Sequence, residues 1–293
     1  RNEGSTDPMD HLRIIASDTM EGRGTASPGH MKAAQYVATE CRKAGLEAAF
    51  PASAETPYFQ PFTVGGFGGL GLSHDHSEED AEDFGIELFE HALYVSGQAS
   101  SSTLGEMGHR LCGALAASGQ ECPPGVEDGK VDPRPLVTPA AAQVTNNVVG
   151  FFPGSGPHKD EIILLSAHLD HLGRTASGVF PGTDDNGSGS AALLAIMHSL
   201  AARRREAPFD RTVAFLWTSG EEKGLLGAAY FVDNSPATVP LARIKQNVNI
   251  DMVGRNAADK LLVTPTKGRA KDYNEPVELA EQLAPLEGFP ELG

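Results

Sequence analysis

Apolar residues along this chain fall into two kinds of pattern. The first is the short solid run: Val148-Val149-Gly150-Phe151-Phe152, Ile162-Ile163-Leu164-Leu165 and Thr212-Val213-Ala214-Phe215-Leu216-Trp217-Thr218. Each is too short for a typical helix and rich in branched or aromatic residues, so each is predicted as a strand. Asn247-Val248-Asn249-Ile250-Asp251-Met252-Val253 and the brief Leu261-Leu262-Val263 are predicted as two more. The second pattern has helical spacing. Asp7-Pro8 opens a helix with Leu12, Ile15 and Met9 on its apolar face, and Ser27-Pro28 opens another, carrying Ala34, Val37, Ala38 and Cys41 to a stop at Gly45. A third runs from Ser190 to about Arg205, a fourth carries Leu225, Leu226, Ala229, Tyr230 and Phe231, and a fifth covers 276–283. Strands alternating with helices predict an α/β fold: a mainly parallel central sheet with helices on both faces, in three layers.

Residues 46–145 break that alternation. From Ala44 to His109 there is no Lys or Arg, whereas eleven Asp and Glu occur, centred on His74-Asp75-His76-Ser77-Glu78-Glu79-Asp80. The composition favours a solvated insertion over 63–144, with one short amphipathic element at Ile86, Leu88, Phe89 and Leu93, above a second cation site at His74 and His76. Residues 1–293 therefore read as one domain carrying an acidic, Gly-rich insertion. The formal net charge of −16 argues against nucleic acid and anionic membrane as partners. No apolar run approaches the ~18 residues of a membrane span. Three cysteines make no disulfide framework; Cys112 and Cys122 either pair or stay free, leaving Cys41 alone.

The chemistry gathers where strands end. Ser166-Ala167-His168-Leu169-Asp170-His171 closes the second run, and Thr183-Asp184-Asp185-Asn186-Gly187 precedes the third helix. Ser219-Gly220-Glu221-Glu222 follows the next strand, and Asp251 lies towards the end of the one after. In an open α/β sheet the carboxyl ends of the strands are where ligands bind. His168, Asp185, Glu222 and Asp251 would thus meet at one edge, as an imidazole-plus-carboxylate set that suits zinc, with manganese or cobalt as alternatives. An aspartate can bridge two cations, and an unligated carboxylate beside them can act as general base. Glu221-Glu222 offers one carboxylate for each task. Asp170 shares a face with His168 in extended chain and is expected to accept the second imidazole N–H.

Together these motifs, with Glu221-Glu222-Lys223-Gly224-Leu225-Leu226-Gly227 and Asn249-Ile250-Asp251-Met252-Val253-Gly254, resemble the M28 family of zinc aminopeptidases. The Met20-Glu21-Gly22-Arg23-Gly24 region is similar to its bacterial members. The resemblance covers about residues 7–62 and 145–265. It implies two zinc ions, one held by His168, Asp185 and Asp251, the other by the bridging Asp185 and Glu222. It also implies Glu221 as general base, Asp170 as orienter of His168, and a cis peptide at Asp185-Asn186. The family adds a histidine to the second zinc late in the chain. Here the last histidine is His198, so the expectation is a chain that stops before the family's final segment.

The expected function is therefore metal-dependent hydrolysis of the N-terminal peptide bond of peptide substrates, by a secreted or periplasmic enzyme. The alternatives are a glutaminyl cyclase or a carboxypeptidase on the same fold, and a non-catalytic, receptor-like domain. No feature of the sequence sets the side-chain preference or the oligomeric state. Arg255 is expected at the surface rather than as a substrate clamp.

Overall fold

The computed structural model describes residues 4–53, 55–67, 139–175 and 178–255, with short pieces at 126–127, 130–131, 260–261, 280, 282–283 and 291–292. Helix α1 (Pro8–Ile15) starts where Asp7 accepts the Met9 N–H at 2.8 Å, with proline at the first helical position. Its inward face is His11 and Ile15, four residues apart, while Met9 is 47% exposed. Apolarity alone assigns Met9 to that face; the i,i+4 geometry of the buried stripe selects His11. Helix α2 (Pro28–Ala44) is capped by Ser27, which accepts the His30 N–H, and ends at Gly45 with φ 80°. Only a residue without Cβ takes that left-handed conformation cheaply.

The strands follow in chain order. They are β1 (Glu47–Ala48), β2 (Phe59–Phe67), a hairpin of β3 (Val126–Glu127) and β4 (Lys130–Val131), β5 (Pro139–Phe152) and β6 (Ile162–His168). A second hairpin, β7 (Gly173–Thr175) and β8 (Gly178–Phe180), precedes helix α3 (Gly189–Glu206). Then come β9 (Thr212–Thr218), helix α4 (Leu226–Asp233), β10 (Ile244–Asn249), β11 (Lys260–Leu261) and β12 (Glu291–Leu292). The main sheet has the order β1-β5-β9-β6-β10, with β2 also on β5. β6 pairs parallel with β9 and with β10, whereas β5 runs antiparallel to β9, β1 and β2. The α/β architecture is as expected, and its parallel part is β9-β6-β10. Residues 153–161 join β5 to β6 without a helix, so the chain reverses there; only the helical crossovers preserve strand direction.

Alternation along the strands separates two cores. Val148, Phe152, Ala167, Phe215 and Trp217 pack against Ile15, Val37, Leu194 and Met197 of α1, α2 and α3. Val149, Phe151, Ile162, Leu164, Ala214 and Leu216 pack on the other face against Phe231 of α4 and Val239. Helices therefore cover both faces, and the strand interior is dry on both sides.

Several boundaries differ from those expected, β6 among them, which runs on to His168. The first strand reaches back to Pro139 and pairs with β2 from Thr63↔Val144 to Phe67↔Pro139, so the 63–144 segment leaves and re-enters the sheet as adjacent antiparallel arms. β10 begins at Ile244 and ends at Asn249, because Met252 takes a left-handed φ of 49°. α4 begins at Leu226, because Leu225 has φ 60°. The rest of the expected insertion, with His74, His76, the element at Ile86–Leu93, Cys112 and Cys122, lies outside the described residues. So do Leu262 and Val263; of the helix expected over 276–283, only 280, 282 and 283 are described, and they are helical. Among the described residues no helix is long and apolar enough to cross a membrane.

Candidate metal centre

Register decides where the chemistry meets. His168 pairs with Thr218, and Asn249 with Ser166. β6 and β9 thereby end level and β10 two residues short of them, and the residues that follow all three share one edge. His168 Nε2 lies 3.2 Å from Asp185 Oδ1, 3.4 Å from Asp251 Oδ1 and 3.9 Å from Glu221 Oε2. His168, Asp185 and Glu222 each offer a ligand atom within 4.8 Å of the others. The imidazole is buried, while Asp185 and Glu221 are about one-third exposed and Asp251 is 41% exposed. The cluster thus opens to solvent on its carboxylate side.

Local hydrogen bonds hold each carboxylate in place. The Asp185–Asn186 peptide is cis, and the Asn186 side chain is fully buried. Asn186 donates to Ile250 O at 2.9 Å, and its Oδ1 accepts the N–H of Gly189 and of Met252. The turn bearing Asp185 is thereby tied to the strand end bearing Asp251. Asp184 reinforces the tie: its Oδ1 accepts from Gly254 N at 2.8 Å, and its Oδ2 is 2.8 Å from Arg255 Nε. Arg255, 70% exposed, is in that ion pair. Asn147 fixes the other turn: its Oδ1 accepts from Ser219 N, and its Nδ2 donates to Gly227 O and Gln60 Oε1. Gly220, at φ 73°, makes the bend.

Asp170 is fully buried. Its Oδ1 accepts from Glu221 N at 3.1 Å and its Oδ2 from Thr25 Oγ1 at 2.7 Å. His168 Nδ1 is 3.1 Å from the main-chain carbonyl of Asp170 and 4.0 Å from its carboxylate. The imidazole proton that the sequence reading directs to the carboxylate is thus within hydrogen-bond reach of the carbonyl instead. The carboxylate is turned towards the backbone of Glu221.

Electrostatics mark the same atoms. Burial disfavours a protonated His168, yet hydrogen bonds to Asp185 and Asp251, with the charges of Asp170 and Glu221, outweigh it and push its pKa up to about 11. Asp185 is held below the usual carboxylate range, first by its hydrogen bond to His168. Burial pushes the Glu221 carboxyl up to about 7, opposed by His168 and aided by the neighbouring carboxylates. Carboxylates gathered on one imidazole repel one another unless a proton or a cation sits among them. A ligand set of one imidazole nitrogen and several carboxylate oxygens fits a zinc-type cation.

One participant has no role assigned by the sequence motifs. His171 Nδ1 lies 2.6 Å from Glu222 Oε1 and 3.9 Å from Asp185 Oδ2. The two neighbouring glutamates therefore part company, Glu221 towards His168 and Glu222 towards His171. The residue was visible in the His168-Leu169-Asp170-His171 motif, but its partner is 51 positions away and no local spacing announces it.

Residues 147–286 match the sequence profile of Peptidase family M28. Leupeptin-inactivating enzyme 1 of Streptomyces exfoliatus is 37% identical over 108 residues, covering 37% of this chain and 22% of that protein. Aminopeptidase YwaD of Bacillus subtilis is 30% identical over 130 residues, covering 44% of this chain and 26% of that protein. The matched part thus spans about a quarter of those curated relatives. The solved structure of BSAP, a zinc aminopeptidase from Bacillus subtilis, superimposes over all of this chain and 80% of its own, with a TM-score of 0.57 at 20% identity. At that identity the likeness establishes the fold.

Proposed function

We propose, from the premise that residues 147–286 of this chain belong to peptidase family M28, that the protein hydrolyses the N-terminal peptide bond of peptides with the help of bound zinc. The observation that carries the proposal is the meeting of Asp185, Asp251 and Glu221 on His168 Nε2, within 3.2–3.9 Å, from four segments far apart in the chain.

His168, Asp185 and Asp251 would hold one zinc, and Asp185 with Glu222 a second. When bound, the ions polarise the scissile carbonyl, lower the pKa of a water and offset the charge that develops on the carbonyl oxygen. The chain's own residues do the rest. Glu221 takes a proton from the attacking water and returns it to the departing amine. In the cation-free protein burial pushes its half-buried carboxyl up to about 7, so it takes up a proton more readily than an exposed carboxylate does. Asp170 holds the Glu221 main chain, Asn186 holds Asp185 to the Asp251 strand end, and His171 steadies Glu222.

The test is hydrolysis of aminoacyl-nitroanilides with added zinc by the wild-type chain and by Glu221→Gln. Turnover in the wild type, lowered about 10²–10⁴-fold in the variant, is expected. Equal turnover removes Glu221 as the base, and cyclisation of an N-terminal glutaminyl peptide in place of cleavage gives the reaction to a cyclase.

A further inference from the structure

Arg23 is fully buried, and its guanidinium donates four hydrogen bonds, all to main-chain carbonyls. Nε reaches Leu169 at 2.7 Å, Nη1 reaches Ile15 at 2.9 Å and Pro181 at 2.8 Å, and Nη2 reaches Gly182 at 2.8 Å. Leu169 directly follows His168, and Gly182 lies three residues before Asp185. One planar fork therefore joins the two turns that carry the first zinc's His168 and Asp185, and anchors both to the end of α1. The main chain around Arg23 adds to the joint. Its carbonyl accepts the His171 N–H at 3.2 Å, Gly24 bridges to His171, and Thr25 Oγ1 holds Asp170. Gly22 permits the close fit: at φ 68°, a Cβ there would stand 2.2 Å from Phe180 O and 2.6 Å from Gly173 O.

Burying a cation is costly unless anions answer it. Burial lowers the Arg23 pKa to about 10, and the opposing charges are Asp170, Asp185 and Glu222, carboxylates of the metal centre itself. We propose that Arg23 is a positioning residue of the zinc site. It sets the distance between the His168 and Asp185 turns through its hydrogen bonds to their carbonyls. The proposal rests on the metal-centre reading above. A lysine keeps the charge but is a point donor, unable to span carbonyls in four directions.

The experiment compares wild type, Arg23→Lys, Arg23→Gln and His168→Ala. Zinc dissociation constants come from chelator competition, site geometry from the visible spectrum of the cobalt-loaded protein, and folding from Trp217 fluorescence. The expected result is folded Arg23 variants that bind zinc about 10–100-fold more weakly, the range seen for partners of metal ligands. Their cobalt spectrum is altered, and kcat falls more than KM rises. Zinc affinity and cobalt spectrum like the wild type in both folded variants overturn the proposal alone. Should Arg23→Gln not fold, Arg23→Lys decides. Loss of folding in both makes Arg23 a residue of the whole fold and also overturns the proposal. Wild type that binds zinc no better than His168→Ala overturns the metal-centre reading and the proposal with it.

Discussion

Glu221 shows at a single residue how a site works against the stability of its own protein. The Glu221 carboxyl, pushed up from 4.5 to about 7 mainly by burial, is less willing to ionise in the folded chain than in the unfolded one. A raised carboxyl favours the folded state only while protonated, so its contribution is present below pH 4.5 and lost as pH rises through 7. Cation-free Glu221→Gln is therefore expected to melt above the wild type at pH 8, the gap closing by about pH 4.5. Thermal scans in chelator across that range check it. His168 carries the opposite charge logic. With its pKa near 11 in the cation-free protein, the imidazole is protonated at pH 8, and a cation must displace that proton to use Nε2. Zinc uptake is expected to release about one proton from this residue, read as the dependence of binding heat on buffer ionisation enthalpy, and to tighten with rising pH. The carboxylates and His168 were readable from residue type and position at strand ends. Arg23 and His171 were not: carbonyl partners leave no trace in side-chain identity, and Glu222 is 51 residues from His171.

Among the elements, β9 is predicted at its observed bounds and β6 at its observed start, its strand continuing three residues past the apolar run to His168, because residues buried on both faces leave a solid apolar signature. Where polar groups are buried, the pattern misleads. His11 of α1 stacks on His198 of α3, ring centroids 5.6 Å apart, and His198 Nε2 lies 2.9 Å from Glu40 of α2, which also accepts from Lys43. This packed polar layer sits where a periodicity argument looks for Met9. The contact between α2 and the turn Asp18–Arg23 is tighter still. A Cβ at Gly29 would lie 2.0 Å from Met20 O, so Gly29→Ala must push the two apart. The expected cost is about 1–3 kcal/mol, measured by urea denaturation followed at Trp217. The turn so displaced is the one that delivers Arg23.

For the molecule as a whole, folding and metal binding are linked. Zinc that binds the folded site and not the unfolded chain adds about 2.7 kcal/mol at a free concentration one hundred times its dissociation constant. Dialysis against chelator is expected to lower the melting temperature, and zinc to restore it; a midpoint indifferent to both would deny a site preformed by the fold. Cys41, buried in the core with its thiol pushed up by burial, is expected to react with a thiol reagent only as fast as the protein opens, a clock for global unfolding. The sequence by itself determined the α/β class, the strands that carry the site and the residue types able to hold zinc. Those follow from periodicity and from side-chain chemistry, both local properties of the chain. Only the tertiary structure decided that β5 runs against β9, that the Asp170 carboxylate turns to the Glu221 backbone, that Glu222 faces His171 and that Arg23 braces the His168 and Asp185 turns. Those depend on strand order and on backbone carbonyls brought together across up to 159 residues, and contacts of that kind are written in no single segment.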